Sequence, residues 1–223
     1  MPSKAQNDER FIAVAVIVAS LLFGAGFCIF LFILSHHQNN PLGEPDYGLE
    51  GTESRLIPPD HRRQLVEFTL TDRTGRTVSR SDLEGKILVV DFLFTSCSLT
   101  CPAINRQMEE IQQLTTNRPD VRLVSLTVDP RDDTPEVLAE YGKRFGADTN
   151  RWLFLTGDRD QLYRLIGTSF LPPDTNNEFS YMPGNFAHTD RIAIVDGQGR
   201  LRGFFDGLNQ NTPAAVANEI PNL

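Results

Sequence analysis

The residues best suited to chemistry gather in one short stretch, Thr95-Ser-Cys97-Ser-Leu-Thr-Cys101-Pro102. A cysteine acts as nucleophile or as metal ligand in its thiolate form. The apolar run 87–94 ahead of the pair reads as a strand, and 102–114 as a helix, so both thiols fall at a strand-to-helix junction. A helix N-terminus favours negative charge and so stabilises a thiolate over a thiol. Two chemistries fit the pair. One is thiol–disulfide exchange, in which Cys97 attacks and Cys101 resolves; the other is binding of a soft metal ion.

Strand–cysteine–turn–cysteine–helix is the arrangement of thioredoxin-like oxidoreductases, but those have two residues between the cysteines where this chain has three. With three, the sulfurs still converge if the first lies in the loop and the second in the first helical turn. The histidines are His36, His37, His61 and His188. His188 closes a Pro- and Asn-rich stretch, 171–187, and precedes an apolar strand, which puts it at the rim of a sheet. Read from the residues alone it is either a third ligand or an ordinary surface histidine. Two thiolates and an imidazole suit Cu(I) and can also hold Cu(II). Zinc would want a fourth strong ligand, and His61 is the one other histidine of the folded part. Asp129, in Val128-Asp-Pro130, reads either as a support or partner contact near the site, or as a turn aspartate.

The elements that position these residues alternate in type. Residues 65–70 and 77–78 flank the turn Asp72-Arg-Thr-Gly75 and predict a hairpin. Strands are expected at 87–94, 121–128 and 152–155, helices at 102–114, 135–145 and 158–170. A second hairpin, 191–195 and 201–205 around Asp196-Gly-Gln-Gly199, precedes a closing helix at 212–220. Strands alternating with helices and ending in a hairpin predict an α/β fold with a mixed central sheet.

Residues 11–34 carry no charge and are rich in Val, Ile, Leu and Phe. As a helix they would span about 36 Å, enough for a bilayer core of about 30 Å. The run is too long for the apolar part of a signal peptide and lacks a small-x-small cleavage site. Lys4 and Arg10 precede it and the next cation is Arg55, so residues 1–10 are placed in the cytoplasm and the main domain on the outer, periplasmic or extracytoplasmic, face. Cys28 lies within the span and reads as inert packing; the bulky Phe27 before it argues against lipid attachment. His36 and His37 follow at the membrane exit, where such a pair is interfacial or gathers copper weakly. Residues 35–60 read as a flexible tether and 61–223 as the folded domain. A net charge of −8 argues against a nucleic-acid partner, and three cysteines are too few for a disulfide framework.

Three blocks, taken in order, resemble the Sco/SenC family: Gly85-Lys86 with Asp91-Phe-Leu-Phe-Thr-Ser-Cys97-x-x-x-Cys101-Pro102, then Val128-Asp-Pro-Arg-Asp-Asp-Thr-Pro135, then His188-Thr-Asp-Arg-Ile-Ala-Ile-Val-Asp-Gly-Gln-Gly199. The resemblance covers about residues 63–210. It implies a membrane-anchored, thioredoxin-like domain with an N-terminal β-hairpin extension and a β-hairpin insertion. It implies copper bound by Cys97, Cys101 and His188, and a role as metallochaperone to the copper-binding subunit of cytochrome c oxidase. Other copper chaperones or thiol reductants are further partners. The alternatives are an oxidoreductase that reduces the subunit's cysteines, and a redox or copper sensor. Ser98 departs from the family, in which Pro often follows the first cysteine; without it the loop is less stiff.

Overall fold

Strand β4, Ile87–Leu93, is buried at all seven positions. Such a run can only lie inside a sheet that is covered on both faces. Its residues alternate between two cores. Ile87, Val89 and Leu93 face one cluster; Leu88, Val90 and Phe92 face the other. The computed structural model describes residues 55–58, 61–171 and 190–223. The anchor expected at 11–34, Cys28, His36, His37 and His188 all lie outside these. Among the described residues no helix is long and apolar enough to cross a membrane.

In chain order the remaining elements are β1 (Arg55–Leu56), β2 (Thr69–Asp72), β3 (Thr77–Ser79), α1 (Thr100–Leu114), β5 (Val121–Thr127), α2 (Pro135–Lys143), β6 (Trp152–Thr156), α3 (Arg159–Phe170), β7 (Arg191–Val195), β8 (Leu201–Asp206) and α4 (Thr212–Glu219). Short 3-10 turns cover Arg80–Leu83 and Ile220–Asn222. One sheet holds the strands in the order β1-β8-β7-β4-β5-β6-β2-β3. Strands β4, β5 and β6 run parallel, and the flanking pairs are antiparallel. Parallel neighbours need a crossover, which α1 supplies between β4 and β5 and α2 between β5 and β6.

Helices cover both faces. Ile104, Met108 and Ile111 of α1 join Leu138 and Tyr141 of α2 and Val216 of α4 on one side. Leu162, Leu165, Ile166 and Phe170 of α3 fill the other. Each such aliphatic side chain contributes about 1.5–3 kcal/mol on burial. Thr134 caps α2 by accepting from the Val137 N–H, and Asp158 caps α3 from the Gln161 N–H. The mixed sheet flanked by helices is the expected α/β architecture.

Two details differ from expectation. Residues 65–68 do not extend β2; Leu65 and Phe68 are buried, but the backbone there makes scattered bonds, Leu65 N–H to the Gly199 carbonyl and Val66 N–H to the Ser169 hydroxyl, beside an isolated bridge of Gln64 to Arg200. Alternating apolar residues report which side chains are buried, not whether a neighbouring strand lies in reach of the backbone. The folded part also begins before His61: Arg55 and Leu56, in the stretch read as tether, pair with Phe204 and Gly203 at the sheet edge. The β2–β3 hairpin is present, with Leu70 opposite Val78, and Gly75 has the positive φ of 80° that its turn requires. Beyond β2–β3 and β7–β8, no additional hairpin occurs among the described residues.

Candidate metal centre

The cysteines lie where the parallel strand β4 ends and α1 begins. Thr100 is the first helical residue, so Cys101 sits in the first turn and Cys97 in the loop before it. Pro102 is tolerated there because the N–H it lacks would have no partner inside the helix. The helix has no side-chain cap from Leu99; instead the Cys101 backbone N–H donates to the Cys97 sulfur at 3.4 Å. Both thiols are free, Cys97 half-buried and Cys101 buried.

Their environments push them apart. Burial raises the Cys97 thiol, but hydrogen bonds from the backbone of Cys101, Leu99 and Thr100 and from the Cys101 thiol outweigh it, leaving the thiol below its ordinary value. The Cys101 thiol is pushed up to about 12, by burial first, then by sharing its proton with Cys97 and by the charges of Cys97 and Asp91. Of the two sulfurs, the half-buried Cys97 is thus the more readily deprotonated.

Two carboxylates flank this pair, and neither was assigned a role from the sequence. Asp133 is almost fully buried in the loop between β5 and α2. It accepts from the Thr95 N–H at 3.2 Å, from the Thr95 hydroxyl and from the Thr127 hydroxyl. Asp91 lies within β4 on the face that packs under α1, fully buried. It accepts from Asn105 Nδ2 at 2.7 Å and from the Ser125 hydroxyl, which in turn accepts from Trp152 Nε1 at 2.9 Å. Burial outweighs these bonds and pushes its carboxyl up to about 7. An ionisable residue inside a seven-residue apolar strand was the available signal for Asp91. For Asp133 it was the spacing Asp129-Pro-x-x-Asp133 after a strand ending in Thr127.

Asp129 enters the same network through its backbone, its N–H donating to the Thr127 hydroxyl at 2.9 Å. Burial, then the charges of Asp132 and Asp133, raise its carboxyl. Leu99, between the cysteines, is 81% exposed. Among the described residues no three His, Cys, Asp or Glu side chains group into a metal site, so His61 does not complete one with the thiols. The donor set there is two sulfurs, which fits a soft ion of low coordination number and leaves room for a further ligand.

A SCO1/SenC family model matches residues 58–223. The SCO1 protein homolog of Bacillus subtilis is 35% identical over 95 residues, covering 42% of this chain and 49% of the relative, so the chain spans about half of that protein's length. A protein of Stutzerimonas stutzeri, named for copper binding, is 31% identical over 174 residues, covering 74% and 81% of the two chains. Among solved structures, BsSco, described as having a disulfide switch and as a member of the Sco family of cytochrome c oxidase assembly proteins, superposes with a TM-score of 0.60. That likeness covers 73% of this chain and 94% of BsSco at 22% identity, and shows the shared thioredoxin-like fold. A sequence match that takes in strands β2 to β8 and both cysteines makes this chain a member of the SCO1/SenC family.

Proposed function

We propose that this protein binds one copper ion through the thiolates of Cys97 and Cys101 and the imidazole of His188, and assists assembly of the copper site of cytochrome c oxidase. The observation that carries the reading is the convergence of two free thiols at the mouth of α1, the Cys97 sulfur taking the place of the helix cap. Two soft donors at a positive helix end hold Cu(I) while the exposed Cys97 side leaves a route for ligand exchange with an acceptor. Copper displaces the proton held by Cys101, so loading releases a proton and strengthens with pH. The relative named for copper binding and the oxidase-assembly role of BsSco support the assignment. Residues 11–34 anchor the chain in a membrane, with the domain on the outer face, where the copper-binding subunit of the oxidase is the acceptor.

Copper titration of the full-length chain tests the proposal. One ion per chain is expected, with binding abolished in Cys97→Ser. Equal binding by that variant would remove the dithiol from the account.

A second reading is favoured by the split between the two thiols. A Cys97 thiol lowered by its backbone hydrogen bonds beside a Cys101 thiol raised by burial is the arrangement for thiol–disulfide exchange, Cys97 attacking and Cys101 resolving. A Cys101→Ser variant should then accumulate a mixed disulfide through Cys97 with the oxidase subunit. Absence of any such adduct would leave copper binding as the sole role of the pair.

A further inference from the structure

Cys97 packs against the core beside α1, but among the described residues the loop that carries it is hydrogen-bonded to another segment at one residue. Cys97 N–H bonds back to the Phe94 carbonyl, and Cys101 N–H to the Cys97 sulfur, both within the loop. Among the described residues, the hydrogen bonds that tie 95–99 to another segment all go to Asp133. Both Asp133 oxygens serve this purpose: each accepts from the Thr95 N–H at 3.2 Å, one accepts from the Thr95 hydroxyl and the other from Thr127. Thr127 in turn accepts from the Asp129 N–H. The loop after β5 and the loop of the cysteines are thereby joined through one carboxylate.

That carboxylate is almost completely buried, and among the described residues no arginine or lysine pairs with it. Burying a carboxylate without a counter-ion is costly, and packing alone would be served as well by an apolar residue of like size. The geometry explains why an acceptor stands there. Only a group with two acceptor oxygens can hold a backbone N–H and two hydroxyls from two different segments at once. Ser98 follows Cys97 in this chain, so no proline stiffens the turn from within.

We infer that Asp133 is the positioning residue of the dithiol: through Thr95 it holds the Cys97 loop at the distance from α1 at which both sulfurs meet one partner. This rests on the proposed copper reading for its consequence in metal binding, but not for its consequence in disulfide formation. In that reaction the two thiols lose two electrons and two protons as the S–S bond forms, and glutathione disulfide takes up both to give two glutathione thiols. A loop that wanders lowers the effective concentration of one thiol at the other, and so disfavours both products.

The test compares full-length wild type, Asp133→Asn and Thr95→Val by Cu(I) affinity and by the equilibrium with glutathione and its disulfide. The amide puts a donor where Asp133 accepts; the valine removes one hydroxyl and keeps the shape. Asp133→Asn should weaken copper binding at least tenfold and lower the disulfide equilibrium constant at least threefold. Thr95→Val should change both in the same direction by about threefold, with little further loss in the double variant. Folding of each variant is checked by its urea midpoint, and Thr95→Val decides the matter if Asp133→Asn does not fold. Folded variants with both quantities unchanged would make Asp133 a structural clamp only and overturn the inference. If wild type binds no copper the proposed function fails, while the glutathione equilibrium still decides the role of Asp133.

Discussion

Buried aspartates occur at both ends of the parallel strands, and they are treated in opposite ways. At the hairpin turns, Asp72 and Asp196 are built alike. Each accepts from the backbone N–H two and four residues ahead, and each pairs with the arginine four residues ahead, Arg76 at 2.8 Å and Arg200 at 2.9 Å. Burial raises both carboxyls, but these bonds together outweigh it and hold them below the usual carboxylate range. At the dithiol end, Asp91 and Asp133 are equally buried, and among the described residues their donors are neutral. The same residue type is a stabilising ion pair in one place and an uncompensated acid in the other. An uncompensated buried acid is where function is sought first, because stability alone selects against it.

The contrast is open to direct attack. Asp196→Ala should have the largest effect on the fold, costing about 2–4 kcal/mol in urea denaturation at pH 7, because it takes the buried acceptor from two part-buried N–H groups and two arginines. The alkylation rates of Cys97 and Cys101 should stay as in wild type. A change there would mean the two ends are coupled and the contrast is false. The wild-type carboxylates at the turns lie below their unfolded value, so their stabilisation is present at neutral pH and lost as pH falls through the acid range.

Asp91 runs the other way. Its folded carboxyl lies near 7 against an ordinary 3.8, so between these values the folded protein keeps a proton that the unfolded chain releases. Stability therefore falls as pH rises through that window. Asp91→Asn should remove the fall and gain about 1–3 kcal/mol at pH 8, the smaller effect because the amide forfeits one acceptor. A variant less stable than wild type at pH 8 would show that Asp91 is a net structural asset like Asp196.

How legible was this in the chain? The strand β4, the start of α1 around Cys101, the cap Thr134 and the β7–β8 hairpin follow from apolar periodicity and turn residues, which are local signals. The bridge at Gln64 and the edge pairing of Arg55 and Leu56 depend on strands more than a hundred residues away, where local pattern is silent. The cysteine pair was legible because its spacing is itself the chemistry. Asp133 was not, because Asp129-Pro-Arg-Asp-Asp133 holds three aspartates, and only the fold says which one turns inward to Thr95. Asp91 stood in plain view as the one charge in an apolar strand, yet its meaning depends on Asn105, Ser125 and Trp152, drawn from three other elements.

The proposed copper site joins Cys97, Cys101 and His188 on one ion. X-ray absorption at the copper edge, on the Cu(I)-loaded full-length chain beside His188→Ala, tests it most directly. Wild type should show a shell of two sulfurs and one imidazole nitrogen, and the variant should lose the imidazole signal while keeping both sulfurs. An identical spectrum from the two chains would contradict it.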